Sequence, residues 1–303
     1  MKATTLCLLI LLSFKHTAIP CANITGTKYN GESASTSKLS KGIGMLRSAM
    51  QMNVRPDGVE MEATLRGSTN FNDRSDYSVA LMYLGKANEA VELLEQLEKE
   101  KAGQYFIAAN LGTAYELAGK NEQALQWINE GIRRNPHSHE GTEWLHVKIL
   151  EAKIAQQKDS RYFESHSVLN LRPEQIEENL VLGDQKLPPA QVAQAISYQL
   201  AERLKFVKPP DAAVASLLFD FAAIEAATAT LESAKKILQM AVEYGYPIAN
   251  VQPLMSLYDR RIAWRKTKHY SGFVGAGLLG VAGLWCLYKR GIFVLSAKDL
   301  KRA

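Results

Sequence analysis

Apolar residues recur at helical spacing through most of the chain. Across Thr142–Gln157, one set of apolar positions lies on one helical face and a second set on another, which predicts a helix that packs on two sides. The first set is Leu145, Ile149 and Ala152, and the second is Val147, Leu150 and Ile154. The same spacing predicts helices over Lys38–Met52, Pro189–Phe206, Asp211–Ala227 and Leu231–Ala241. No run alternates apolar and polar residues as a half-buried strand does, so the pattern predicts an all-α fold without a sheet.

The N-terminal end begins with a short apolar stretch, Leu6–Phe14, that follows Lys2. This stretch has the length of the apolar region of a signal peptide and is too short to span a bilayer, and Ala18–Ala22 offers a cleavage region. Residues 1–22 are therefore predicted to be an export signal. Cys21 offers the alternative of a lipid-modified cysteine, against which Pro20 argues because a small residue is preferred before the modified position.

A second apolar segment, Tyr270–Tyr288, contains nineteen residues without a charge. At about 1.5 Å per residue its length nearly matches a hydrocarbon core of roughly 30 Å, and cations flank both ends. We therefore expect a single transmembrane helix with the exported body on one side and residues 289–303 in the cytosol. Gly272, Ala276 and Gly280 recur every four residues, a spacing that lets two such helices approach closely, so self-association is a further expectation.

Charge divides the chain into a mildly acidic body and a basic end. The formal net charge is +5, yet Arg260–Ala303 holds ten Lys or Arg residues and one acid, Asp299. Because this basic stretch flanks the predicted membrane segment, anionic lipid headgroups explain it better than nucleic acid does. Of the three cysteines, Cys7 and Cys286 lie in the two apolar segments, so only Cys21 could belong to the mature soluble part and no disulfide framework is expected.

An internal repeat lies in the middle of the chain. The sequence Leu84–Ala90 is similar to Ala118–Ala124, so that the glycine at 85 recurs at 119 and the alanine at 90 recurs at 124, with the same offset for both pairs. An offset of about 34 residues is typical of a repeated helix-turn-helix unit. The two glycines are expected to end the first helix of each copy, because glycine readily adopts a left-handed conformation.

The second copy resembles the tetratricopeptide repeat, a family of stacked helical hairpins. Its matching positions are Leu111, Gly112, Tyr115, Gly119, Ala124 and Pro136, while Gly131 stands where a second alanine is usual. The first copy keeps Gly85, Ala90, Leu94 and Leu97 and departs from the family pattern at Tyr77 and Ser78. The resemblance covers residues 71–136 and implies an α-solenoid. Leu231–Ala241, followed by Pro247, resembles part of a degenerate third copy.

Tetratricopeptide arrays usually bind a segment of a partner protein on their concave face. The resemblance implies that the groove residues are Phe106, Ala109, Asn110, Thr113 and Glu116 in the second copy, and Asn72, Ser75, Asp76, Val79 and Met82 in the first. Family members that grip the C-terminal carboxylate of a peptide use an Asn at the position of Asn110 together with lysines, which are missing here. The groove is therefore polar to acidic, which favours a neutral or basic protein partner.

The only cluster that suggests reactive chemistry consists of His139, Glu143 and His146. Their spacing places them on one face of a helix, where they would offer ligands to a metal. The preferred interpretation is an ordinary helix start with acids in its first turn, so neither a metal nor a cofactor is expected. The chain shows no Ser-His-Asp order, glycine-rich phosphate loop or CxxC pair, and it is not expected to be an enzyme.

These patterns divide the chain into consecutive segments. They are an export signal (1–22), an N-terminal polar and helical segment (23–66), the repeats with a capping helix (67–157), a linker (158–187), a helical region with the degenerate repeat (188–258), a basic juxtamembrane segment (259–269), the membrane helix (270–288) and a basic tail (289–303). The expected function is protein–protein interaction by a membrane-tethered scaffold or assembly factor. The alternative is a structural subunit packed permanently into a larger membrane complex.

Overall fold

The computed structural model describes residues 25–35, 46, 58–176, 179–182 and 185–289, with only the backbone described at 25, 35, 269–279, 281, 284 and 288. The predicted export signal, residues 290–303 of the predicted tail, and the predicted helix Lys38–Met52 apart from Leu46 lie outside these residues. Export therefore stays a prediction.

The described chain is helical apart from two short hairpins, and the predicted all-α class is confirmed. The longer helices are α1 (Gly58–Leu65), α2 (Phe71–Tyr83), α3 (Ala87–Glu100), α4 (Tyr105–Leu117), α5 (Asn121–Arg134), α6 (Glu143–Lys158), α8 (Pro189–Arg203), α9 (Ala212–Thr228), α10 (Leu231–Glu243) and α11 (Ile248–Lys289). A one-turn helix α7 (Tyr162–Ser165) and two 3-10 turns, Ser138–Gly141 and Pro173–Gln175, lie between them.

Helices α2 to α5 form two successive hairpins of matching dimensions. The offset between the bounds of α2 and α4 is the same as that between α3 and α5, so the helix bounds repeat with the period of the sequence. The turn inside each hairpin contains a glycine with the same φ of 76°, Gly85 and Gly119, where a β-carbon would strain the backbone. The glycine positions thus fix where α2 and α4 end and where the chain can turn back into α3 and α5.

The apolar interior consists of two clusters that meet at α6. Leu150 and Val147 pack into the cluster formed by α2 to α5, whereas Leu145, Ile149 and Ala152 belong to the larger cluster formed with α8 to α11. The prediction of a helix that packs on two sides is therefore confirmed. Helix α6 closes the repeat array on one face and joins it to the second half of the chain on the other.

The segment 158–187, expected to be a linker, contributes to the larger core. Phe163, Val168 and Leu171 are buried, and the carboxylate of Asp220 on α9 holds the loop that carries the last two. Periodicity failed to indicate this because the backbone is irregular here, and its N–H groups donate to side chains, among them Ser216 and Asp220 on α9.

Two antiparallel hairpins were not predicted. Their strands are β1 (Thr25–Thr27) with β2 (Ser33–Ser35), and β3 (Leu180–Leu182) with β4 (Gln185–Leu187), and every strand is very short. Such short strands offer too few positions for an alternating pattern to be recognised in the sequence.

The first of these hairpins is fastened to the C-terminal helices. The backbone N–H of Thr27 donates to Glu232 Oε2 at 2.8 Å, and its hydroxyl donates to Glu232 Oε1 at 2.7 Å. Arg265 Nε on α11 donates to the same hydroxyl oxygen at 2.7 Å. Thr27 is fully buried, so β1 lies between α10 and α11 as part of the body.

The structure corrects the prediction made for the residues of helix α11. Over the residues that the structure describes, no helix combines the length and the apolar character needed to cross a membrane. The prediction of a transmembrane helix at Tyr270–Tyr288 is therefore wrong, and the lipid partner and self-association inferred from it are not carried forward. Those residues belong to one helix of 42 residues whose first part packs on α10, and five glycines between positions 270 and 288 add little apolar surface.

Candidate functional site

The inner face of the two hairpins is formed by α2 and α4. Near the N-terminal ends of these helices, Asn72 and Asp76 are exposed and Phe106 is half-buried. Farther along, Val79, Ala109, Asn110 and Thr113 are half-buried, and Glu116 is buried. One cavity is lined by six of the predicted groove residues, namely Val79, Met82, Ala109, Asn110, Thr113 and Glu116. Asn72, Asp76 and Phe106 are not among its lining residues, and Ser75 is buried.

Helix α8 and the residues after it cover the C-terminal end of this face. The ring of Phe206 stacks on that of Tyr83, with centroids 4.7 Å apart and planes 12° from parallel. Tyr198 and Arg203 of α8 lie opposite Asn110 and Thr113 across a cavity of about 180 Å³. Part of the predicted partner groove is thus occupied by the chain itself, which the sequence did not indicate.

Buried Glu116 is the centre of a charged cluster between the repeats and α8. Its carboxylate accepts from Arg203 Nη1 at 2.8 and 3.0 Å, from Lys153 Nζ at 2.9 Å, and it lies 2.8 Å from His146 Nε2. Burial raises the pKa of Glu116, but the charges of Arg203 and Lys153 and the contact with His146 outweigh burial and hold the pKa well below its usual range. The cluster ties α4, α6 and α8 together.

His139, Glu143 and His146 lie close together, but they do not share one helix. His139 belongs to the 3-10 turn Ser138–Gly141 with a φ of 48°, and α6 begins only at Glu143. One oxygen of Glu143 bonds His139 Nδ1, and the other lies 3.3 Å from His146 Nδ1. Among the residues described, no three His, Cys, Asp or Glu side chains are arranged to hold a metal ion, so the metal alternative finds no support.

Burial and hydrogen bonds both act on the pKa values of this triad. Burial raises the pKa of Glu143, but hydrogen bonds to His139 and His146 outweigh it and lower the pKa to about 2. The bond to Glu143 raises the pKa of His139 despite partial burial. The contact therefore favours the ionised form of Glu143 and the protonated form of His139.

The repeat-defining residues lie in the packed centre of the array. Ala90, Leu111 and Ala124 have no exposed surface, and Gly112 faces Ile128 across α4 and α5. The hydroxyl of Tyr115 donates to Glu95, and Pro136 lies exposed just beyond the end of α5. These residues support the shape of the groove and do not line its open part.

Arg203, Lys153 and Tyr198 were missed as site residues. Arg203 and Glu116 are 87 positions apart, and nothing in the periodicity of α8 indicates which face of the repeats it covers. The one signal in the sequence was Glu116, a glutamate at a predicted groove position. A carboxylate that becomes buried needs a cationic partner, which could come from elsewhere in the chain.

Comparisons with known proteins give no further assignment. No protein-family model matches this chain, and no curated protein or solved structure matches it either.

Proposed function

We propose that this chain is a tetratricopeptide-type interaction protein that binds a segment of a partner protein at the N-terminal end of the groove between α2 and α4. The proposal rests on a difference in accessibility between the two ends of this face. Helix α8 closes the end near Glu116, whereas Asn72 and Asp76 at the other end are exposed. The constant offset between the helix bounds of the two hairpins supports the family assignment.

Charge at the open end favours a basic or neutral segment. Asp76 is exposed, whereas the neighbouring cation Arg74 is already paired with Glu100. An incoming Lys or Arg would meet the accessible carboxylate of Asp76 on α2, and hydrogen-bonding groups are available from the exposed amide of Asn72. Half-buried Phe106 offers apolar contact beside them.

Reversible binding fits the groove better than permanent assembly does. The large apolar side chains that are exposed among the described residues, such as Val181 at 74% and Trp264 at 54%, lie outside the groove. A permanent interface would require a contiguous apolar patch on that face. The structural-subunit alternative therefore has no support from this surface.

Two charge-reversed variants test the proposal. A photoreactive amino acid in place of Asn72 should cross-link a partner, and the cross-link should be lost in Asp76→Lys. Glu92→Lys on α3 is the matched control, because Glu92 is also exposed but lies on the other helix of the hairpin. Equal cross-linking in the two charge variants would overturn the proposal.

A further inference from the structure

The cavity between the repeats and α8 begins one helical turn beyond the open end of the groove. On α2, Val79 of the cavity wall follows exposed Asp76 by three residues, and on α4, Ala109 follows Phe106 by the same step. Three residues rise about 4.5 Å along a helix and bring side chains to neighbouring positions on one face. A protein segment docked at Asp76 and Phe106 therefore lies close enough to place a long side chain in the cavity.

Two of the three carboxylates that line the cavity are paired within its wall. Glu116 accepts from Nη1 of Arg203, and the other guanidinium nitrogens of this arginine are buried, so they offer nothing to a ligand. Glu143 bonds His139, and this contact raises the pKa of His139. The charges of these two carboxylates are therefore largely balanced by cations that also line the cavity.

The third lining carboxylate, Glu202, leaves a negative charge at the wall. Lys205 donates to its two oxygens at 2.7 and 2.8 Å, but Lys205 does not line the cavity. The side chains of this pair are 41% and 43% exposed, and an ion pair so open to water is weak, so Glu202 can accept from a second donor. Burial and the charges of Glu202 and Glu140 raise the pKa of Tyr198 to about 12, which agrees with a negative field on this side of the cavity.

The rest of the wall suits a side chain with an apolar stem. Val79, Ala109 and Phe206 provide apolar surface. The hydroxyl of Thr113 donates to the Ala109 carbonyl at 3.2 Å, so its oxygen remains able to accept. The cavity volume of about 180 Å³ has room for an unbranched chain of about five heavy atoms, since a water molecule takes up about 30 Å³.

We propose that this cavity is a specificity pocket for a lysine side chain of the partner segment. The stem of the lysine packs against Val79 and Ala109, and its ammonium group donates to Glu202. This assignment rests on the proposed function, because the lysine belongs to the segment that docks at the open end of the groove. It adds a requirement that the open end does not impose, namely a lysine at one fixed position of that segment.

Butylammonium, which has the length of a lysine side chain, tests the pocket without the partner. In the isotope-labelled full chain at constant ionic strength, it is expected to shift the amide resonances of Ala109, Thr113 and Tyr198 saturably. A Kd of about 1–10 mM is expected for a ligand of this size. The neutral analogue n-butanol should bind at least about fivefold more weakly, because it lacks the charge that pairs with Glu202.

Glu202→Gln tests the carboxylate, and Glu151→Gln is its matched control. Both glutamates are partly exposed and bonded by a lysine three residues away, but Glu151 lies on α6 and does not line the cavity. Glu202→Gln should weaken butylammonium binding by about fivefold or more, and Glu151→Gln should leave it unchanged. Equal affinity for butylammonium and n-butanol, or equal effects of the two variants, would overturn the inference.

A cavity-filling variant places the ligand inside the cavity. Ala109→Leu changes no charge and should abolish the shifts at Thr113 and Tyr198 while the helical circular dichroism is retained, and shifts that persist would refute the pocket. Glu202→Gln, at a half-exposed position, keeps the test decisive if Ala109→Leu does not fold. Cross-linking from Asn72 without butylammonium binding would count against the pocket alone, whereas butylammonium binding without the cross-link would count against the partner groove.

Discussion

Gly112 on α4 lies so close to Ile128 on α5 that no β-carbon fits between the two helices. A β-carbon built on Gly112 would overlap the Ile128 side chain and approach its backbone nitrogen to 3.3 Å. We expect Gly112→Ala to lower the free energy of unfolding by about 1–3 kcal/mol, because the helices must separate or Ile128 must leave its rotamer. Urea denaturation measures this, and a neutral result would contradict the close helix crossing.

Gly131 on α5 is the matched position with the opposite expected sign. A β-carbon there would lie 3.7 Å from the backbone nitrogen of Ala109, which is ordinary van der Waals contact. We expect Gly131→Ala to raise the free energy of unfolding by up to about 1 kcal/mol, because alanine replaces glycine in a helix interior. Equal destabilisation by Gly112→Ala and Gly131→Ala would contradict the conclusion that α4 and α5 are closer together at Gly112 than at Gly131.

The pair of Glu143 and His139 predicts a pH-dependent stability. The folded pKa of Glu143 is about 2 against an ordinary 4.5, so its contribution is present above pH 4.5 and is lost as the pH falls towards 2. The folded pKa of His139 is raised, so its contribution is present below its ordinary 6.5 and is lost as the pH rises through the folded value.

The difference in unfolding free energy between wild type and Glu143→Gln should therefore be largest between pH 4.5 and 6.5. Its size is at most about 3.5 kcal/mol, because the pKa of Glu143 falls by about 2.5 units and each unit corresponds to roughly 1.4 kcal/mol. Denaturation at a series of pH values gives this difference, with Glu140→Gln, an exposed neighbour, as the control. A difference that does not change with pH would rule out the assigned contact.

Asp220 holds the irregular loop 167–171. Its carboxylate accepts from the Ser167 hydroxyl at 2.5 Å and from the backbone N–H groups of Leu169 and Leu171 at 2.8 and 2.9 Å. Burial raises its pKa to about 6 even though these three donors act to lower it.

Asp220→Asn is expected to lower the free energy of unfolding by about 2–4 kcal/mol, because the amide cannot accept all three bonds. Hydrogen exchange of the Leu169 and Leu171 amides should accelerate in parallel. Asp159→Asn, at an exposed turn, should change stability by less than about 0.5 kcal/mol. Unchanged exchange at both leucines would show that another group holds the loop.

The stacked pair of Phe206 and Tyr83 is predicted to keep α8 on the groove. Phe206→Ala should cost roughly 1–3 kcal/mol, less than for a fully buried phenylalanine, because Phe206 is half-buried. Hydrogen exchange should rise over residues 189–203 and stay unchanged over α3. Uniform acceleration over both would indicate general destabilisation and no local release of the helix.

The sequence was informative where a structural cause is local. The two apolar faces of α6 and the glycines that end α2 and α4 follow from spacing alone. The pairing of Arg203 with Glu116 does not, because residues 87 positions apart meet only after the array and the second half have packed. The membrane prediction failed because it counted the absence of charges in Tyr270–Tyr288, whereas five of these residues are glycines that add little apolar surface.

The contact between Thr27 and Glu232 has a consequence for the timing of synthesis, since it joins residues 205 positions apart. At roughly 5–20 residues per second, translation takes about 10–40 s to pass from one to the other. In ribosome-bound chains, the N-terminal hairpin should be protected from protease when arrest comes after α10 and unprotected when arrest comes before α10. Equal protection in the two chains would contradict the late pairing. One of the first segments to leave the ribosome is thus among the last to find its place, and any factor that shields a nascent chain would have to cover that hairpin for the whole interval.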